Sequence, residues 1–378
     1  MNRDVSPVFD SLDVDLVFKV LKHTLFSPFF IFFIPIYYIS SGGRMTDPFV
    51  IGSGSYYVLL CLYWLGDWLS TLYRNQGSLL YRPPRYDWGE QIVVVTGGAS
   101  GVGELLANTL AVRNVTVVVL DVNPIVSENH NIVYYKCNIS KWEEVEAVSK
   151  KIVEEIGHPT VLVNNAGVVQ GKLITDLGAA DVQQTFGVNT LAHFWTLKAF
   201  LPNMIKNNSG HIVTISSNLA YTGVAQAGTS RFCSIGLNLM PPLLKADYCA
   251  SKAAINSLHD SLRQELDHQH KAPSVRTTLV CPGHLLTPLF ASVSYPQSGW
   301  HKFFFPSVAP IDVVKSIIQA LDDQHSKTIM LPLYSHLLPY RQHLPSYLKD
   351  FAQWLSGADY MLRNFRKVSG RRPDEKTE

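Results

Sequence analysis

A glycine-rich turn between an apolar strand and a helix constrains this chain more than any other feature. Ile92–Val95 is a run of β-branched residues, which predicts a strand buried on both faces of a sheet. The turn leads into a helix predicted over Glu104–Arg113, and its glycines have no Cβ to keep a ligand phosphate away. These glycines are Gly97, Gly101 and Gly103. A pyrophosphate at the start of the helix would meet free N–H groups and the positive end of the helix dipole, so the pattern predicts a dinucleotide site.

Further apolar strands alternate with amphipathic helices after this turn. The predicted strands are Val115–Leu120, Ile132–Lys136, Thr160–Val163, Ile212–Ser216 and Ser274–Cys281. The predicted helices are Lys141–Ile156, which Ser140 and Glu143 would cap, Asp181–Lys206 and Ala250–His268. This alternation predicts an α/β Rossmann fold, in which helices cover both faces of a doubly wound parallel sheet.

Composition excludes several classes of function. The net charge of +2 over 378 residues leaves no basic footprint for nucleic acid. The five cysteines are scattered without a CxxC pair, which argues against a zinc site or a disulfide framework and favours a reducing compartment. We therefore expect no metal site, and we expect Cys249 and Cys281 to be buried packing residues.

Two uncharged runs near the N-terminus predict a membrane-associated helical hairpin or two short transmembrane helices. Leu25–Ile39 and Phe49–Gly66 carry no charge, and a turn-like segment with Arg44 and Asp47 separates them. As helices they would reach ~23 and ~27 Å. An apolar helical pair packed on the following domain is the alternative.

Basic residues flank this pair on both sides. Lys19 and Lys22 precede it, and Arg74, Arg82 and Arg85 follow it, so the positive-inside rule predicts a cytosolic catalytic domain. Because no small-residue cleavage site follows the first run, we do not expect a removable signal peptide.

Several motifs then occur in a fixed order along the chain. They are Thr96-Gly-Gly-Ala-Ser-Gly-Val-Gly103, Asn164-Asn-Ala-Gly167, the set Asn189, Ser217, Tyr248 and Lys252, and Pro282-Gly283 with Thr287. Over Gln91–Met330 this order resembles the short-chain dehydrogenase/reductase family. With the apolar N-terminal segment, it resembles the membrane-bound retinol dehydrogenase and 17-beta-hydroxysteroid dehydrogenase branch, which implies the endoplasmic reticulum or a lipid droplet.

The resemblance implies a set of cofactor-binding residues. They are Thr96, Gly97, Ser100, Gly101, Val102, Gly103, Asp121, Asn138, Asn165, Ala166, Gly167, Tyr248, Lys252, Pro282, Gly283 and Thr287. Asp121 would accept from a ribose 2′-hydroxyl and repel a 2′-phosphate, so we expect NAD, with NADP less favoured. The alternative is that Asp121 caps the Asn123-Pro124 turn. Asn138 would meet the adenine amino group.

The resemblance also implies a catalytic tetrad. Tyr248 would move the hydroxyl proton, although a free tyrosine has a pKa of ~10. Lys252 follows one helical turn later, and its cation would lower that pKa. Ser217 would bind the substrate oxygen, with Ser216 as its rival, and Asn189 would hold a relay water. The alternative is an ordinary surface pair of Tyr248 and Lys252.

The interval between Ser217 and Tyr248 departs from the family pattern. It spans 31 positions, much more than is usual in the family. Ala227–Lys245 therefore looks like an insertion, either an unremoved intron in the gene model or a true loop at the rim of the active site.

The C-terminal third is apolar and aromatic. Leu285–Phe305 would fold over a bulky apolar substrate, beside His284 as a spectator, although packing on a membrane explains these residues as well. Leu331–Leu348 contains three prolines, cannot form one straight helix, and is expected to touch the bilayer.

These features predict a domain order. Residues 1–24 form an amphipathic segment, 25–69 the membrane hairpin, 70–89 a linker, 90–330 the NAD-binding domain with the insertion 227–245, and 331–378 a membrane-proximal tail. The function predicted is a membrane-anchored oxidoreductase that transfers hydride between NAD(P) and a lipophilic alcohol or ketone, such as a retinoid, sterol or long-chain alcohol. The alternative is a catalytically inactive membrane or lipid-droplet scaffold. Expected partners are the lipophilic substrate, membrane lipids and a second copy of the chain in a homodimer.

Overall fold

The computed structural model describes residues 12–76, 86–127, 129–172, 174–222, 246–290 and 298–355. These residues form two compact units. The helical unit comprises the described residues up to 76 together with Lys302–Pro306, and the remaining residues form the α/β unit. The segment Ala227–Lys245, which the sequence marks as an insertion, lies outside the described residues.

Three helices build the helical unit: α1 (Val14–His23), α2 (Pro28–Ser40) and α3 (Pro48–Arg74). Helices α2 and α3 each begin with a proline at the first turn, where the missing N–H costs no hydrogen bond. Helix α3 continues beyond the predicted apolar run to Arg74, so at ~1.5 Å per residue it reaches ~40 Å instead of ~27 Å. Among the described residues, α3 alone is long and apolar enough to cross a membrane, and α1 with α2 forms a pair bent by 57° that passes the same test together.

Polar groups of α3 satisfy the backbone at this bend. The Tyr56 hydroxyl donates to Leu25 O at 2.9 Å, and Trp64 Nε1 donates to Phe26 O at 2.9 Å. The bend leaves carbonyl groups without a helical N–H partner. These two bonds from α3 satisfy two such groups at the start of the first apolar run. Most of the large apolar side chains of α2 and α3 are exposed.

A seven-stranded parallel sheet forms the α/β unit, with the spatial order β3-β2-β1-β4-β5-β6-β7. The strands are β1 (Ile92–Thr96), β2 (Thr116–Asp121), β3 (Ile132–Lys136), β4 (Val161–Asn164), β5 (Gly210–Ile215), β6 (Val275–Pro282) and β7 (Lys327–Leu331). The predicted Rossmann architecture is confirmed, with β7 as a strand that the sequence pattern missed.

Helices cover both faces of this sheet. The helices that follow β1 along the chain are α4 (Gly101–Val112), α5 (Trp142–Glu155), α6 (Ala179–Phe186), α7 (Ala192–Asn207), α8 (Ala246–Gln264), α9 (Gly299–Phe304), α10 (Pro310–Asp323) and α11 (Ser346–Leu355). One apolar core packs α4 and α10 on one face, and a second packs α5, α7 and α8 on the other. Two cores of this kind explain why the central strands are apolar on both faces.

Two helices differ from the sequence-based prediction. The helix predicted over Asp181–Lys206 is interrupted by a π turn at Gly187–Leu191. Helix α5 begins after Lys141 instead of being capped by Ser140, because the Glu144 carboxylate turns back to accept from Asn138 N at 2.8 Å.

The strand order reverses beside β1, and this reversal locates the site. Val95 pairs with Val119 of β2 on one side and with Val163 of β4 on the other. The chain leaves β2 and β4 in opposite directions, which opens a crevice at the carboxyl edge of the sheet.

Candidate active site

A cavity of about 410 Å³ occupies this crevice. Such a volume lies within the range of ligand-binding clefts. Its wall contains most of the residues that the sequence assigns to the site: Gly97, Ser100, Gly101, Val102, Asp121, Asn138, Asn165, Ala166, Gly167, Ser217, Tyr248, Lys252, Pro282, Gly283 and Thr287. The fold therefore brings segments from 97 to 287 together around one space.

Thr96, which the sequence assigns to the cofactor, lies buried behind the wall of this cavity. Its hydroxyl accepts from the N–H groups of Asn165 at 3.0 Å and Ala166 at 3.1 Å. Asn165 Nδ2 returns two bonds, to Thr96 O and Gly97 O at 3.0 Å each. Thr96 thus connects the turn after β1 to the turn after β4 by hydrogen bonds. It holds the residues of the cavity wall in place, but it does not line the cavity itself.

Two glycines permit this close approach. Gly97 has φ +67°, and a Cβ there would stand 2.7 Å from Ala166 Cα. Gly103 also lies behind the wall, where a Cβ would collide with Gly97 O and Asn165 Nδ2. Side chains at either position would force the glycine turn away from the turn after β4, so both glycines are required by geometry.

Asp121 lines the far end of the cavity and makes the backbone contacts that the alternative role as a turn cap requires. Its Oδ1 accepts from Asn123 N at 2.9 Å, as in a turn cap, and its Oδ2 accepts from Ala99 N at 3.0 Å. The carboxylate still lines the cavity. The cap and the ribose-facing position are therefore compatible.

Asn138 also lines the cavity, but its amide is oriented differently from the prediction. Oδ1 accepts from both the N–H of Ser140, at 3.1 Å, and its hydroxyl, at 2.7 Å. These bonds occupy both lone pairs of the oxygen, so a base would meet the amide NH₂ group instead of the acceptor that an adenine amino group needs.

The catalytic candidates form a buried group at the opposite end. Tyr248 and Lys252 lie on α8, and Lys252 Nζ stands 5.8 Å from the centre of the Tyr248 ring. Nζ donates to Ile215 O at 2.9 Å, which fixes the ammonium beneath the end of β5. Ser217 follows β5, and its hydroxyl accepts from Leu219 N at 3.2 Å. The side chains of Tyr248, Lys252 and Ser217 are all buried. Tyr248 and Lys252 are therefore not an ordinary surface pair.

Burial dominates the protonation of this group. It raises the pKa of Tyr248, although the Ser217 side chain acts in the opposite direction, and it lowers the pKa of Lys252 to about 8. Desolvation of the phenol thus acts against the lowering of the Tyr248 pKa that we expect from Lys252. The protein's own groups keep the phenol protonated, which is the form that donates to a carbonyl oxygen.

Asn189 lies behind the wall on the π turn, where such irregularities often mark functional sites. Its Oδ1 accepts from Val168 N at 2.8 Å, while its Nδ2 donates to Val168 O and Ser251 Oγ at 3.0 Å each. A Cβ on Gly167 would stand 3.6 Å from both Asn189 Oδ1 and Lys252 Nζ. The structure thus brings Asn189 next to Lys252. That Asn189 holds a relay water stays a prediction.

Apolar side chains complete the catalytic end. Val169, Leu219 and Phe290 pack around Tyr248, and Leu285 and Leu289 line the cavity beyond it. Phe290 lies within Leu285–Phe305, the segment that the sequence predicts over the substrate, whereas Val169 and Leu219 were missed. Val169 follows the Asn-Asn-Ala-Gly motif by two positions, which is the signal that would have found it.

Ser216 and His284 are accounted for by local contacts. The Ser216 hydroxyl donates to Lys252 O at 3.4 Å, so it faces the α8 backbone while Ser217 faces the phenol. His284 Nδ1 lies 2.9 Å from the Ser307 hydroxyl.

These residues fit a nicotinamide dinucleotide. The glycine-rich turn lies at the N-terminus of α4. The Asp121 carboxylate lies at one end of the cavity, and the buried Tyr248 phenol and Lys252 ammonium lie at the other end. The fold and the site together define a dinucleotide-dependent oxidoreductase.

Comparisons with known proteins extend this assignment. A model of the short chain dehydrogenase family matches residues 91–297. Bovine short-chain dehydrogenase/reductase family 16C member 6 is 33% identical over 318 residues, covering 79% of this chain and 92% of that protein. Human epidermal retinol dehydrogenase 2 is 33% identical over 265 residues, covering 68% and 80%. Ligand-free aldohexose dehydrogenase of Thermoplasma acidophilum shares the fold, with a TM-score of 0.52 and 23% identity over 66% of this chain and 94% of that one.

The chain therefore belongs to the short-chain dehydrogenase family, in the branch that contains retinol dehydrogenases. The predicted family and enzyme class are confirmed: the protein is an NAD(P)-dependent oxidoreductase that acts on CH–OH groups.

Proposed function

We propose that the protein is a membrane-anchored, NAD-dependent dehydrogenase or reductase of a lipophilic alcohol or ketone, such as a retinoid, a sterol or a long-chain alcohol. One observation carries this proposal: the buried Tyr248, Lys252 and Ser217 group faces a cavity that Leu285, Leu289 and Phe290 line with apolar side chains. Relatives named epidermal retinol dehydrogenase 2 and retinol dehydrogenase 10 support the substrate class.

The side chains divide the chemistry between them. The Ser217 hydroxyl would hold the substrate oxygen, and Tyr248 would take the hydroxyl proton during oxidation or donate a proton to the carbonyl oxygen during reduction. Lys252 would stabilise the phenolate form of Tyr248 by its charge. The bound nicotinamide would accept or supply the hydride. Since the group is buried, water is kept from the reacting atoms.

A substrate panel tests this function against the scaffold alternative. We expect full-length protein with NAD to oxidise long-chain or isoprenoid alcohols while short polar alcohols react slowly, as followed by NADH absorbance. Binding of NADH without turnover of any alcohol or ketone would favour the scaffold. If the segment Ala227–Lys245 is spurious, its deletion should preserve or raise the measured rate.

The preference for NAD rests on Asp121. Its carboxylate lines the cavity, and the sequence has no Arg or Lys at Ala99, Ser100, Val122 or Asn123 to pair with a 2′-phosphate. We expect NADH to bind at least ~10-fold more tightly than NADPH, and Asp121→Ala to reduce that ratio. Tighter NADPH binding by the unmodified protein would contradict the assignment.

Membrane anchoring rests on α2 and α3. Their exposed side chains are apolar, and Lys19, Lys22 and Arg74 lie on the flanks that we assign to the cytosol. We place the protein at the endoplasmic reticulum or at lipid droplets, with the α/β unit facing the cytosol. Carbonate extraction of the expressed protein should leave it in the membrane pellet, and release into the supernatant would refute the anchor.

A further inference from the structure

A second apolar surface lies on the α/β unit, far along the chain from the N-terminal helices. It comprises the 3₁₀ helix Leu333–His343 and the first turns of α11. Its exposed large apolar side chains are Leu337, Tyr340, Leu344, Tyr347, Leu348 and Phe351. We call these residues, within 333–351, the C-terminal patch.

The patch is organised and not a scatter of single apolar residues. Tyr347, Leu348 and Phe351 follow the helical spacing that puts side chains on one face of α11. Leu337 and Tyr340 are both 70% exposed and Tyr347 is 71% exposed. Six exposed large apolar side chains between Leu337 and Phe351 indicate an interaction surface.

Charge indicates which partner fits. Within 333–351 the sequence has one acidic residue, Asp350, against the two cations Arg341 and Lys349, and it also contains His336 and His343. Aromatic and aliphatic side chains interspersed with basic ones are typical of segments that lie in a lipid–water interface, where anionic headgroups attract the cations. The same chain contains α3, a helix with the length and composition of a membrane span.

The patch begins at the wall of the active site. Gly283, which lines the cavity, donates from its N–H to Leu331 O at 2.6 Å. A Cβ on Gly283 would stand 2.8 Å from the Tyr334 hydroxyl, and the buried Ser335 donates to Leu331 O at 3.2 Å. These contacts hold the start of the 3₁₀ helix, from which the patch extends, against the wall of the cavity.

We propose that the C-terminal patch docks the α/β unit onto a phospholipid bilayer, so that a lipophilic alcohol reaches the cavity from the lipid without crossing water. The part of the proposal that concerns substrate entry rests on the proposed function, and the docking itself does not. Leu289, which lines the cavity, and Leu286 are also exposed apolar side chains.

Spin-label accessibility on the full chain in nanodiscs containing anionic lipid tests the docking. A nitroxide is attached through a genetically encoded ketone residue at position 337, 340 or 347, so the native cysteines remain. We expect high collision with oxygen and low collision with a water-soluble nickel chelate at all three positions. Labels at Val112 and Val126, which are 76% and 84% exposed on the same unit, serve as controls and should collide with the chelate.

Each other outcome contradicts the docking. Free collision of the patch labels with the nickel chelate would mean that water covers the patch. Low collision with both reagents would mean that protein covers it, such as a second copy of the chain.

A kinetic experiment tests the route of entry. We expect Leu337→Glu/Tyr347→Glu to raise KM for a vesicle-partitioned alcohol at least ~10-fold, because a charge in the interface is costly. The KM for a water-soluble short-chain alcohol and the affinity for NADH should stay unchanged. Val112→Glu/Val126→Glu is the matched control and should leave both KM values unaltered.

Equal KM effects on both alcohols, or none on either, would overturn the route. If the unmodified protein turned over neither alcohol, the proposed function would fail, and the spin-label result would still decide the docking by itself.

Discussion

The two ends of the cavity are built by different means. The nucleotide end is made mostly of backbone: a turn with three glycines, the start of α4 and one carboxylate. The catalytic end is made of buried side chains that three separate segments bring together, with Lys252 held by Ile215 O and Asn189 held by Val168. Changes at the nucleotide end should therefore affect binding and folding, while changes at the catalytic end should separate binding from chemistry.

The largest expected effect separates those two ends. Tyr248→Phe removes the proton donor without changing the shape of the cavity, so kcat should fall ~10³-fold while the Kd for NADH changes less than ~3-fold. Tyr73→Phe, at an exposed position outside the α/β unit, is the control and should keep full activity. Retained turnover in Tyr248→Phe would remove the phenol from the mechanism.

A pair of glycine substitutions tests whether the nucleotide end depends on backbone contact. Gly97→Ala combines a positive φ with a Cβ 2.7 Å from Ala166 Cα, and should lower the free energy of unfolding by ~3 kcal/mol and weaken NADH binding. Gly101→Ala has φ +62° but its nearest contact is 3.9 Å, so it should cost only ~1 kcal/mol. Equal losses in denaturant unfolding would mean that the close approach to Ala166 is unimportant.

Two buried asparagines near the catalytic end sharpen the comparison. Asn189→Ala leaves the N–H and C=O of Val168 without their partners, so it should cost ~2–3 kcal/mol and reduce kcat. Asn256, in the described part of the chain, is buried without a hydrogen-bond partner for either amide atom. Asn256→Leu should therefore be neutral or slightly stabilising. A larger loss for Asn256→Leu in the same melting experiment would reverse this ranking.

The last predicted effect concerns pH. The pKa of Lys252 is about 8 in the folded protein and 10.5 as an ordinary lysine, so between these values the unfolded chain binds a proton that the folded protein does not. Rising pH therefore favours folding in this window, with a slope of at most ~1.4 kcal/mol per pH unit. We expect the stability of wild type relative to Lys252→Met to rise from pH 8 to 10. A flat difference would mean that burial does not perturb this lysine.

The sequence predicted the nucleotide end well because its signal is local. An apolar run, glycines and a helix follow each other within twelve residues, from Ile92 to Gly103, and each has a physical reason. The sequence assigns Thr96 to the cofactor, whereas in the structure its hydroxyl holds the turn after β4. Its partner there, Asn165, lies 69 positions away, and no local pattern reveals such a contact.

The sequence predicted which residues form the catalytic end, but it did not predict the local backbone or the burial around them. The π turn that carries Asn189 looks like a continuous helix in the sequence, because the same apolar spacing runs through it. Burial of the phenol, which raises the pKa of Tyr248, could not be predicted for a related reason, since it depends on Val169, Leu219 and Phe290 meeting around the ring. Strand β7 was missed because its short run lies between polar turns and a proline-rich segment.

The most direct test of the account is an experimental structure of the full chain with NADH. We expect the pyrophosphate at the start of α4, the adenosine ribose within hydrogen-bond distance of Asp121, and the nicotinamide end beside Lys252 with its reacting carbon facing the Tyr248 hydroxyl across a gap of ~4–6 Å for substrate. A nucleotide bound elsewhere, or a Tyr248 hydroxyl turned away from both the nicotinamide and Ser217, would contradict the assignment of this cavity as the active site.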